Sequence, residues 1–176
     1  MKKINKISGL FLSVSALSCI FWIGSYLLRM FLTYQLFNET MTAYRPFIND
    51  KKINAILLVL NPSVITTLVL YVIFILSFIL FLFTTKLNLK QNGWLFIITV
   101  LVFITAPFEI YLMTIDYKIF NMVYSGIFTN GDVLNLITKR FKDLSSFALI
   151  ELLCYCTVIL LAIFQPLTRN SVKNEN

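Results

Sequence analysis

Apolar residues are gathered into four long runs, at about 9–31, 62–85, 94–114 and 146–167, with mixed or polar sequence between them. Each run approaches the roughly 20 residues a helix needs to cross a hydrocarbon core about 30 Å thick. The pattern predicts an all-α integral membrane protein with four transmembrane helices in an antiparallel bundle. It forms a single domain over residues 1–176.

The first run follows the basic lead Met1-Lys-Lys-Ile-Asn-Lys6. A cleaved leader is the rival reading, since Ala16-Leu-Ser-Cys19 hints at a cleavage box. The apolar run nevertheless continues well past that cysteine, whereas a leader core stops at about 7–15 residues. The expectation is therefore a retained span. Gly9, Ser13, Ala16 and Gly24 share one side of it, with Ile20 completing the spacing. Small residues let helix backbones approach, so this side is the expected helix-packing face.

From about 32 to 61 the sequence turns polar, with turn signals at Tyr44-Arg-Pro46 and Asn49-Asp-Lys-Lys52. Within it Asp50 can cap a short amphipathic helix carrying Ile53, Ile56, Leu57 and Leu60. Asn61-Pro62 then reads as a fresh helix start, Asn as the cap and Pro in the first turn, opening the uncharged second span. The turn at 86–93 is brief and makes spans two and three neighbours. Trp94 marks a membrane-interface position at the start of span three.

Span three contains Pro107, which cannot donate to the carbonyl of Phe103 and predicts a kink. Helical periodicity continues beyond 114, ending near Gly126. A second amphipathic stretch lies in the loop at about 115–145, starting at Asn130-Gly-Asp132. Val133, Leu136, Ile137, Phe141 and Leu144 lie on one side of it and Lys139, Lys142 and Asp143 elsewhere. Each long loop thus carries one short surface helix. Ser146 can cap span four, and 168–176 is a loose polar tail.

The composition agrees with the pattern: 59% of the residues are hydrophobic and 13% charged, against about 25% charged in soluble domains. A net charge of +7 raises the question of nucleic acid, but no basic cluster with interleaved aromatics supports such binding. The basic residues flank the spans instead. Lys2, Lys3, Lys6, Lys86, Lys90, Arg169 and Lys173 crowd close to the bilayer with one acid among them. Those of the long loops are diluted by acids. This bias places both termini and the 86–93 turn in the cytoplasm, and the long loops outside a plasma or inner membrane.

Chemistry is sparse. The chain has no histidine, which excludes His-ligated haem, His-containing zinc sites and Ser-His or Cys-His nucleophiles. Cys19, Cys154 and Cys156 form no CxxC motif and read as inert buried thiols. Five scattered glycines make no phosphate loop. No catalytic, cofactor-binding or metal residues are assigned.

The unusual residues are the acids inside apolar runs. Glu109 stands two positions after Pro107, and Glu151 interrupts span four. A carboxylate in hydrocarbon costs roughly 2.5–3.5 kcal/mol on insertion scales, so both are expected to face protein or water. Helical spacing places Thr105, Glu109 and Asp116 on one face of span three, and Glu151 with Tyr155 on one face of span four. At about 1.5 Å rise per residue the two glutamates reach similar depth, with Arg29 the nearest basic side chain.

The candidate intramembrane cluster is therefore Glu109, Glu151, Arg29, Thr105 and Tyr155. Three uses are open to it: ion pairing with Arg29 as structural glue, sharing of a proton or binding of a cation, or lining a water-filled vestibule. The sequence favours a non-enzymatic accessory or interaction subunit that binds another membrane protein or itself, with no cofactor. The alternative is a small proton- or cation-coupled transporter using Glu109 and Glu151.

Overall fold

The structure, a computed structural model, describes residues 5–38, 43–46, 48, 50–126, 129–143 and 147–167. The expected cap at Ser146, Leu144, the basic residues Lys2, Lys3, Arg169 and Lys173, and the tail from Thr168 lie outside the described residues, as does the side chain of Asp50. Among the described residues five α-helices make up the fold: α1 Lys6–Leu36, α2 Asp50–Thr84, α3 Gly93–Ser125, α4 Asn130–Asp143 and α5 Phe147–Phe164. Four of them, all but α4, are long and apolar enough to cross a membrane.

The expected break at Asn61-Pro62 is corrected. The amphipathic segment after Asp50 and the second span form one continuous helix, with Pro62 inside it. Pro62 leaves one carbonyl without its backbone donor, yet the turns beside it gain hydroxyl bonds. Thr66 Oγ1 donates to the Pro62 carbonyl and Thr67 Oγ1 to that of Ser63, each at 2.8 Å. Ile53 and Leu57, on a stretch whose pattern suits either the membrane surface or packing over the bundle, are buried against Leu36, Phe37, Ile115 and Ile119. That packing continues the helix through a residue that local propensity would place at its start.

In α3 the buried positions include Ile98, Val102, Thr105, Glu109, Leu112, Asp116, Ile119 and Val123. Their spacing alternates four and three, a seam that faces neighbouring helices over the whole length. The helix runs unbroken through Pro107 and ends at Gly126, whose φ of 66° is the left-handed conformation that glycine adopts freely. Trp94, expected at a membrane interface, is buried with Leu95, Phe78 and Phe81 in the core.

The packing stripe of α1 also differs from expectation. Ser8, Ser15, Cys19, Trp22, Tyr26 and Arg29 are buried, while Ser13 and Gly24 face outward and Gly9 and Ala16 are half-buried. Past the small buried residues Ser8, Ser15 and Cys19, large aromatic residues fill the seam: Trp22 meets Tyr71 of α2 and Tyr155 of α5 at centroid distances of 5.2 and 4.9 Å. Contacts link α1 with α2, α2 with α3, α3 with α5 and α5 with α1, so the four spans enclose one interior.

Helix α4 packs against α3. A capping box fixes its start: Thr129 N–H donates to Asp132 Oδ2, and the Asp132 N–H donates back to Thr129 Oγ1, both at 3.2 Å. The Thr129 hydroxyl also donates to Asp132 Oδ2 at 2.7 Å, and this bond, with the one from the Thr129 N–H, holds the Asp132 carboxyl below the usual carboxylate range. Val133 and Ile137 are buried beneath the helix, and Tyr111 donates to Asp143 at 2.9 Å.

Candidate functional site: a polar core inside the bundle

The polar residues of the spans converge in the half of the interior nearer α4. At the α4 end is an ion triad. Arg29 Nη1 of α1 donates to Asp116 Oδ2 of α3 at 2.7 Å, and Arg140 Nε of α4 donates to Asp116 Oδ1 at 2.6 Å. All three side chains are largely buried, at 7%, 4% and 11% exposure for Arg29, Asp116 and Arg140. Tyr26 lies between the guanidiniums, its ring centroid 5.6 Å from one and 5.7 Å from the other, within cation–π range of both.

Of the three uses open to the cluster, pairing of Arg29 with a glutamate is corrected: its ion-pair partner is Asp116. Asp116 lies one turn beyond Leu112 on the buried seam of α3, closer to the arginine level than Glu109. Arg140 was not singled out from the sequence. Its signal was there, because Val133, Ile137 and Arg140 recur at four and three residues. That places a cation on the apolar side of an amphipathic helix.

Deeper in the interior, Glu109 of α3 and Glu151 of α5 are buried, with 1% and 0% of their surface exposed. Their carboxyl groups face each other at hydrogen-bonding range. Glu109 Oε2 and both carboxyl oxygens of Glu151 meet no N–H or hydroxyl donor. A hydrogen bond between two carboxyls needs a proton on one of them. Neither glutamate has an arginine or lysine at ion-pair distance among the described residues.

No family model, curated protein or solved structure matches the chain. The site is therefore read from its own chemistry.

Thr105 and Tyr155 belong to a neighbouring hydroxyl chain. The Tyr155 hydroxyl is 3.0 Å from Thr105 Oγ1 and 2.8 Å from the Tyr71 hydroxyl. A separate hydroxyl pair, Ser25 and Thr67 at 2.9 Å, ties α1 to α2. Sequence reasoning missed Tyr71 and Thr67, which carry no charge and lie in an apolar run. Beyond the tyrosines, Phe74, Phe78, Phe81 and Trp94 fill the interior toward the other end. Among the described residues no group of three acids, histidines or cysteines is placed to hold a metal ion.

Proposed function

We propose that this is a small, non-enzymatic four-span protein of the cell membrane, a proton-coupled transporter in which Glu109 and Glu151 take up and release the coupling proton. In this reading the spans form an antiparallel bundle, with the Lys6 end cytoplasmic and α4 outside. The observation that carries it is the mutual facing of two fully buried carboxyls with no arginine or lysine at ion-pair distance among the described residues. Like charges at that range in a medium of low dielectric cannot both ionise, so the pair is a binding site for a proton. A hard metal cation is the poorer occupant, because such ions take about six or more oxygen ligands. Asp116 has a different role: two guanidiniums fix it as an anion, leaving the glutamates as the exchangeable acids.

The reading is tested on the full chain in two ways. In the infrared spectrum, the C=O stretch of a protonated buried carboxyl is expected in the wild type near neutral pH. It should be lost in the Glu109→Gln/Glu151→Gln double variant and kept in Asp132→Asn, an exposed control in the first turn of α4 whose amide oxygen still accepts from Thr129. In reconstituted vesicles, dissipation of a pH gradient upon addition of candidate solutes is expected to fall at least about tenfold in either single variant, the range of general acid–base effects. A wild-type protein without a protonated-carboxyl band would sink the reading.

The accessory-subunit reading keeps one observation in its favour. Ser13 and Gly24 face outward on α1, and a Cβ added at Gly24 meets nothing within 4 Å, so this face is open to a partner helix. Loss of a co-purifying membrane protein in mild detergent upon Gly24→Leu would favour it. An unchanged set of associated chains would remove it.

A further inference from the structure

A cavity of about 50 Å³ lies among α1, α2, α3 and α4 beside the ion triad. Its walls are mostly apolar, with Leu57, Val64 and Ile119 among them; its polar lining includes Arg29, Arg140, Asp116 and Asn61. We propose that this cavity is a binding site for a small monovalent anion, a halide or a short carboxylate, held between the Arg29 and Arg140 guanidiniums.

Two features independent of each other lead there. The first is hydrogen bonding: Arg29 Nη2 and Arg140 Nη2 are both buried and both without an acceptor. Buried N–H groups in folded proteins are nearly always satisfied, so unused donors on two residues lining one cavity call for an acceptor inside it. The second is charge. One carboxylate serves two guanidiniums, which leaves the triad with an excess of one positive charge. No other carboxylate stands at ion-pair distance from either arginine among the described residues.

Water would satisfy the donors but leave the charge, whereas a monovalent anion answers both. Size sets the upper limit. A cavity of this volume has room for a few waters or one small ion, and excludes a phosphorylated or sugar-bearing ligand. The geometry of the donors also matters, since a guanidinium presents its N–H groups in a plane suited to carboxylate as well as halide. The charge argument rests on the proton reading, because Glu109 lies within electrostatic reach of both arginines and an ionised glutamate offsets the excess; the anion is therefore expected when both glutamates are protonated.

The test uses the full chain in detergent at constant ionic strength, with chloride or acetate replaced by gluconate, which is too large for the cavity. Chloride or acetate at about ten times its dissociation constant is expected to raise the melting temperature by about 3–6 °C over gluconate. The linewidth of chloride-35 in nuclear magnetic resonance should broaden in the presence of protein. The two salts distinguish halide from carboxylate. Arg140→Gln should abolish both effects.

Because that variant removes an ion pair, Val64→Phe serves as a second probe that fills the cavity and leaves the triad untouched. It too should lose the response. Absence of any anion-specific shift and of broadening in the folded wild type overturns the proposal. So does a full response in either folded variant, which would place the anion elsewhere.

Discussion

Replacing Asp116 with alanine is expected to destabilise the protein by about 3–5 kcal/mol, the range for removing one partner of a buried ion pair. The effect belongs at the top of that range, because this carboxylate answers two guanidiniums, Arg29 at 2.7 Å and Arg140 at 2.6 Å. Its loss leaves two buried cations facing one another across a gap in an apolar surround. Asp116→Asn should be milder, since the amide oxygen still accepts one hydrogen bond while the charge is lost. Reversible unfolding in mixed micelles, followed by circular dichroism, measures both. A change below about 1 kcal/mol for the alanine variant, the level of an exposed pair, would mean that the triad is open to solvent.

Trp22→Ala is expected to have a comparable effect, again about 3–5 kcal/mol, for a different physical reason. Lipid tails are as apolar as a protein core, so removal from water does not drive helix association here; close packing does. Trp22 is fully buried, with ring centroids of Tyr26 and Tyr71 at 5.2 Å and Tyr155 at 4.9 Å. Alanine leaves a void where α1, α2 and α5 meet, and each neighbouring ring loses its dispersion partners on one side. Phe83→Ala is the matched control: that ring is 83% exposed on the outer surface of α2, and its removal should change stability by less than about 0.5 kcal/mol. Equal losses for the two variants would show that packing in the interior contributes no more than burial in lipid.

Four membrane-length helices were legible in the sequence, because length and apolarity are local properties read along one chain. The seam of α3 was legible for the same reason: Thr105, Glu109 and Asp116 share a face by helical geometry alone. What periodicity does not contain is the partner across the interface. Arg29 was matched to a glutamate by an estimate of depth. Asp116, which takes that role, was placed on the same helical face but left out of the cluster, because the apolar run of span three ends before it.

Asn61-Pro62 misled in the opposite way. Its local signal was sound, but burial of Ile53 and Leu57 continues the helix on both sides of it. On α1 a pattern of small residues suggested close backbone contact, whereas the interior is wide enough for Trp22 and Tyr26, and of that pattern Ser13 and Gly24 turn outward. Glu109 and Glu151 stood out from the first for being charged in hydrocarbon. That they meet each other depends on α3 lying against α5, which no local signal specified.

The arrangement of the triad also bears on how the chain is made. Arg29 lies 87 residues before Asp116, and Arg140 a further 24 beyond it. At about 5–20 residues per second, α1 emerges with its arginine roughly 4–17 s ahead of the carboxylate that neutralises it. During that interval Arg29 needs water, lipid phosphate or the insertion machinery as a surrogate. Since the last charge of the set arrives on α4, final seating of the first helix must wait until most of the protein has been synthesised.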